Sequence, residues 1–182
     1  MRNMLLCGAV IGSVLTANVL PAVAQDAPAA SQPAKKDPVA YAKLKEAIPD
    51  KFAGIKRESI SGSKTAFGEM KLSQAEANYS EGDKTANITI IDYAAMPGML
   101  DGLAAWAKME IDNDSDTEST KTIKLNGFPA LETFRKEAKE METVVSVSSR
   151  FLVTLKVTGQ SAEEARKAIA AFDLKKIEAA GK

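Results

Sequence analysis

The stretch Phe151-Leu-Val-Thr-Leu-Lys-Val-Thr-Gly-Gln-Ser161-Ala-Glu-Glu164 sets the fold class. Phe151, Val153, Leu155 and Val157 recur every second residue, the period that places alternate side chains on one face of a strand. Gly159 ends that strand. Ser161 with Glu164 three residues later is a capping box, in which each side chain accepts a hydrogen bond from a backbone N–H that the first helical turn leaves free. Ala165, Ala168, Ile169 and Phe172 then give one helix face, and Leu174 and Ile177 are expected to keep packing beyond a kink near Asp173.

Upstream, Val145 and Val147 predict another strand, and Asn126-Gly127 is a strong hairpin signal because both central positions of a type I′ turn need positive φ. Ile123 and Leu125 precede that turn; Pro129, Leu131 and Phe134 follow it. Residues 69 to 93 read as an antiparallel hairpin around Glu81-Gly82-Asp83, with Ala86, Ile88 and Ile90 on its second arm. A slip in the alternation near Ser73-Gln74 predicts a β-bulge there. Ile55 to Ile60 predicts a strand before it. Met99, Leu100, Leu103, Trp106 and Ala107 predict a short helix after Met96-Pro97-Gly98, ending near Ile111. At the start, Asp37 as N-cap with Pro38 at the first helical position predicts a helix carrying Val39, Tyr41, Leu44 and Ile48, stopped by Pro49. The expected class is α+β: a twisted antiparallel sheet covered by helices.

The first residues read as an export signal. Arg2 supplies the positive end, Met4 to Leu20 carries no charge, and Pro21-Ala22-Val23-Ala24 ends in the small-x-small pattern of a cleavage site, expected after Ala24. Asn3, Ser13, Thr16, Asn18 and Pro21 dilute the stretch as a retained anchor, and Cys7 stands too near the start for a lipoprotein site. The expected organisation is a signal over residues 1–24, a disordered Ala, Pro and Gln-rich leader over 25–36, and one α+β domain over 37–182. The expected location is periplasmic or secreted, with no transmembrane segment after cleavage.

Composition excludes several chemistries. The sequence has no His, which removes the usual neutral-pH base, Ser-His-Asp and Cys-His nucleophiles, and most zinc and copper sites. Its single cysteine, Cys7, leaves with the signal, so neither disulfide nor thiolate chemistry is expected. With Arg2 gone, the 24 basic residues become 23 against 24 acids, a near-neutral balance that argues against nucleic acid as a partner.

The remaining polar features are each weighed against a plain structural reading. Asp112, Asp114 and Asp116 match the first half of a calcium loop, but Thr117 replaces the glycine and Ile123 the closing glutamate, which favours a solvated acidic loop. Met96, Met99 and Met109 beside Trp106 could supply thioether ligands to copper, yet their spacing is that of a helix face. The Met99 to Trp106 face is either core or the lining of an apolar pocket. Asp92, at the end of an apolar run, is the nearest to an acid of raised pKa, with a solvent-facing strand end as the plainer reading. Ser61-Gly62-Ser63-Lys64 spells S-x-x-K but reads as a Gly-Ser turn. Asn78, Asn87 and Asn113 begin N-x-S/T sequons.

The runs Ala75 to Lys84, Lys124 to Ala130, Ser149 to Gly159 and Phe172 to Ile177 resemble a family of small exported bacterial proteins and lipoproteins of unassigned function. In element order the chain also resembles the PsbP/Mog1-like α/β/α sandwich, and that resemblance implies binding or assembly of other proteins. No catalytic, cofactor or metal residue is assigned. The expected function is an exported non-enzymatic binding or envelope-interaction module whose partner is another envelope protein. The alternatives are a carrier of a small apolar ligand or lipid and a carboxylate-dependent hydrolase.

Overall fold

A computed structural model describes residues 36–182. The expected export signal and the leader through residue 35 lie outside the described residues. The elements are α1 (Tyr41–Glu46), β1 (Lys51–Phe52), β2 (Ile55–Phe67), β3 (Met70–Glu81), β4 (Lys84–Asp92), α2 (Pro97–Trp106), β5 (Asp112–Asp114), β6 (Glu118–Leu125), β7 (Phe128–Arg135), β8 (Glu140–Val147), β9 (Phe151–Thr158), α3 (Ala162–Ala170) and α4 (Leu174–Ala180). The nine strands of the described residues form one antiparallel sheet in the order β1-β2-β3-β4-β9-β8-β7-β6-β5, so the class is α+β. Four strands are laid down from one edge, the α2 segment carries the chain to the other edge, and four hairpin-connected steps return it to the middle. The last strand, β9, therefore fills the centre beside β4, with Ile88 opposite Leu155 and Ile90 opposite Val153.

Period-two alternation explains the layering. Ala75, Ala77 and Tyr79 on β3, Ile88 and Ile90 on β4, Val153 and Leu155 on β9, and Met141 and Val145 on β8 share one face and are fully or almost fully buried. Leu44 of α1, Ala165 and Ile169 of α3, and Leu174 and Ile177 of α4 join that core from above. The capping box forms as expected: the Ser161 hydroxyl accepts from the Glu164 N–H, and the Glu164 carboxylate accepts from the Ser161 N–H at 3.0 Å. We expect Ser161→Ala to lower stability by about 1 kcal/mol, read as a shift in urea midpoint at unchanged slope. Asp173 caps α4 after the kink, its carboxylate accepting from the Lys175 N–H at 3.1 Å.

Turn chemistry follows the residues. Asn126 and Gly127 take φ of 51° and 90°, as the hairpin signal required, and the Asn126 amide donates to the Phe172 carbonyl at 3.0 Å. Gly159 is a position only glycine fits. Its φ is 80°, and a Cβ there would stand 2.5 Å from the Asp83 carbonyl oxygen.

Several expectations are corrected. The first helix starts at Tyr41, not Asp37, because Asp37 to Val39 is held in extended form: the Val39 N–H donates to Asp92 at 2.8 Å and Asp37 bonds Lys71 at 2.6 Å. The bulge lies at Glu58 on β2, not at Ser73-Gln74, where the β3 register runs unbroken. Met70 and Leu72 fall on the face opposite Ser73 and Ala75, so the apolar residues change face while the strand stays regular. Helix α2 ends at Trp106, and Ile111 belongs to the approach to β5, pairing with Thr122 through its carbonyl at 2.8 Å.

Candidate functional site

Two carboxylates are buried in the sheet, and neither is placed to act on a substrate. Asp92 is 0% exposed, not the solvent-facing strand end its sequence position suggests. It accepts four hydrogen bonds: from the Val39 and Ala94 N–H groups at 2.8 and 2.9 Å, and from Arg150 Nε and Nη2 at 3.0 and 2.8 Å. The turn before β9 delivers that arginine. Ser148 and Ser149 hold φ of 52° and 49°, a left-handed pair without glycine, and the strain is offset by seating Arg150 on Asp92 and over the Phe151 ring. Arg150 also donates to the Gly181 carbonyl at 2.7 Å and to the Asp37 carbonyl at 3.3 Å.

Glu132 on β7 is the second, and the sequence reading missed it. Its phase was the missed signal: Ala130, Glu132 and Phe134 alternate, and Ala130 faces the core. Arg166 of α3 clamps the carboxylate through Nε and Nη2, the shortest bond being 2.7 Å, and that contact raises the Arg166 pKa further. Along the sheet the two acids stand three strands and four residues apart, roughly 20 Å. Among the described residues no cluster of three metal-binding side chains occurs.

The other sequence candidates disperse. Asp112 and Asp114 lie on β5, which is an edge strand and not a loop, and Asp114 bonds Lys136 at 3.0 Å while Asp116 stays in the following turn. On α2, Leu103 is buried, Met96 and Trp106 are half-buried and Met99 is exposed. The concavity nearby, about 610 Å³, is lined instead by Met109, Ile111, Ile123 and Pro129 with charged neighbours. Ser61 to Lys64 lies mid-strand in β2, where Gly62 lets Tyr41 of α1 press on the backbone: a Cβ there would stand 2.7 Å from the tyrosine ring. Asn78 and Asn87 belong to a side-chain ladder on the sheet face opposite the core, bonded to each other at 2.8 Å.

The feature left without an internal role is the outer edge of β2. β1 covers only Ile55 and Lys56 of this 13-residue strand, because the chain arrives from α1 through Pro49 and turns at Ala53-Gly54. Gln160 pins that turn by donating to the Ala53 carbonyl at 2.8 Å. Arg57 closes the covered part: its N–H donates to the Asp50 carbonyl at 2.8 Å, and its guanidinium holds the Ile48 carbonyl and the Asp50 carboxylate. Among the described residues no strand lies outside β2 from Ser59 to Phe67. In an antiparallel strand every second residue points both backbone groups outward, so roughly four N–H and C=O pairs face away from the sheet along this stretch. The hairpin tip beyond it carries Phe67 at 78% and Met70 at 49% exposure.

No family model, curated protein or solved structure matches this chain. The surface consists of an unbulged row of main-chain donors and acceptors, Ser59, Ser61, Ser63 and Thr65 on one side, and an apolar pair at the end. Exposed strand edges as a class offer hydrogen bonds that an added extended backbone can satisfy.

Tyr79 braces the edge from within. Its hydroxyl donates to the Pro49 carbonyl at 2.7 Å and its ring meets Phe52 at 5.7 Å. Burial pushes its pKa up to about 12; Arg57 works the other way and Asp50 adds to the rise. A phenol whose folded pKa lies above its unfolded value stabilises the fold fully below about pH 10, and that contribution is lost as pH rises towards 12. We expect Tyr79→Phe to flatten the wild-type loss of stability over that window by on the order of 2 kcal/mol. Denaturant unfolding from pH 9 to 12 measures it.

Proposed function

We propose that this chain is an exported, non-enzymatic binding module of the cell envelope that takes a partner protein along the open edge of β2. The backbone from Ser59 to Phe67, uncovered among the described residues and ending in exposed Phe67 and Met70, carries the reading. Export after cleavage at Ala24 follows from the signal-like first residues. Among the described residues no helix is long and apolar enough to cross a membrane. The similarity to small exported bacterial proteins and the PsbP/Mog1-like arrangement belongs to the same proposal; the antiparallel sheet supports only its coarser α+β part.

Benzoylphenylalanine placed at Ser63 or Phe67 in the source cell tests the reading, with Lys124 and Thr158 as control positions away from β2. The expected result is a clipped protein outside the cytosol with adducts only from the two edge positions. An unclipped cytosolic protein, or equal adducts from the controls, overturns it.

A further inference from the structure

Resting on that edge reading, we infer that the strand added to β2 is an acidic extended peptide. Six basic and three acidic residues lie between Tyr41 and Phe67, and Arg57 and Asp50 already pair with each other. Lys43, Lys45, Lys51 and Lys56 have no ion pair among the described residues; Lys64 lies within electrostatic reach of Asp37, which Lys71 already bonds at 2.6 Å, and the other acids between Tyr41 and Phe67 are Glu46 and Glu58. Two of these lysines oppose each other directly: Lys51 and Lys56 are the register pair at the entrance to the edge. Like charges directly opposite in an antiparallel pair are unfavourable, and an incoming carboxylate relieves them. Further along, the Lys45 stem and the Tyr41 ring sit over Gly62, within 3.2 Å of where its Cβ would be, and Lys64 follows on the same face of β2.

A strand laid along Ser59 to Phe67 turns alternate side chains towards this face. Carboxylates there meet Lys45 and Lys64, while the main chain satisfies the outward backbone groups. A basic strand would meet the same lysines with repulsion, so charge selects the partner and the backbone binds it.

The test uses the full-length chain and a fluorescein-labelled probe, Thr-Glu-Val-Glu-Thr-Glu-Val-Glu-Thr, which as a strand places every glutamate on one face. Its companions carry Lys or Gln in place of Glu, or the Glu sequence N-methylated at alternate residues. Polarisation reads binding, and hydrogen exchange reads protection of residues 59–67. We expect the Glu probe to bind with protection of that stretch, the Lys probe to bind at least tenfold more weakly, and N-methylation to abolish binding. Lys45→Glu with Lys64→Glu, both at exposed or half-exposed positions, should weaken the Glu probe about tenfold at unchanged Tm.

Binding without protection, or unaffected by N-methylation, overturns the inference, because charge alone would then hold the probe. Equal protection by the Gln or Lys probe overturns the acidic preference and leaves the edge reading standing. No protection by any probe overturns both. Protection that grows with the protein's own concentration, without peptide, assigns the edge to a second copy and also overturns the inference.

Discussion

Arg150→Met should lower stability by about 3–4 kcal/mol, seen as a fall in Tm of roughly 10 °C for a domain of this size. The substitution leaves Asp92, which is fully buried, with its two backbone donors and no counter-charge. Removing one partner of a buried pair costs far more than the pair contributes, because the remaining charge stays dehydrated. The same change frees the carbonyls of Asp37 and Gly181 and the face of Phe151. Adding Asp92→Asn should recover part of the loss: it removes the buried charge and keeps an acceptor for one of the Val39 and Ala94 N–H groups, which bond different carboxylate oxygens, while its NH2 turns a donor towards the other. Urea unfolding of the three variants decides the matter: a loss under about 1 kcal/mol for Arg150→Met would mean that water or another cation replaces the guanidinium.

Arg166→Ala should cost about 2–3 kcal/mol, less than Arg150→Met because Arg166 is 46% exposed and Lys121 remains 3.8 Å from Glu132. Glu132 cannot follow its lost partner into solvent; its side chain is only 3% exposed, and the neighbouring Thr143 hydroxyl is buried without a hydrogen bond. The informative comparison is Glu132→Leu with Arg166→Met. Exchanging a buried pair for apolar side chains of similar volume is often neutral or stabilising, so the double variant should match or exceed the wild type while the single one falls. Equal losses in both would instead tie Glu132 to a contact beyond its arginine.

Local signals carried the element list. The alternation of Phe151 to Val157, the capping box at Ser161 and the Asn126-Gly127 turn are each written within a few residues, and each forms as read. What failed depends on residues far apart in the chain. Asp37-Pro38 has the chemistry of a helix start, but a carboxylate 53 residues away takes the Val39 N–H, and no local pattern announces that. Ser61-Gly62-Ser63 looks like a turn in isolation. It becomes mid-strand because Tyr41 needs a residue without a side chain beneath it. Glu132 was hidden by phase, since Leu131 competes with Ala130 for the inward position and only pairing with Val145 decides between them. The edge of β2 was invisible for a related reason: a sequence shows which residues form strands, whereas an edge exists only once the order of strands is known.

The clasp at Arg150 has a topological consequence. One guanidinium touches the carbonyls of Asp37 and Gly181, so the two ends of the folded domain meet within a few ångströms at one pole. A short Gly-Ser linker could join them, and new termini opened in the exposed turn from Lys136 to Lys139 would interrupt no strand. A circularly permuted chain of this kind should retain the nine-strand order while moving both termini away from the clasp.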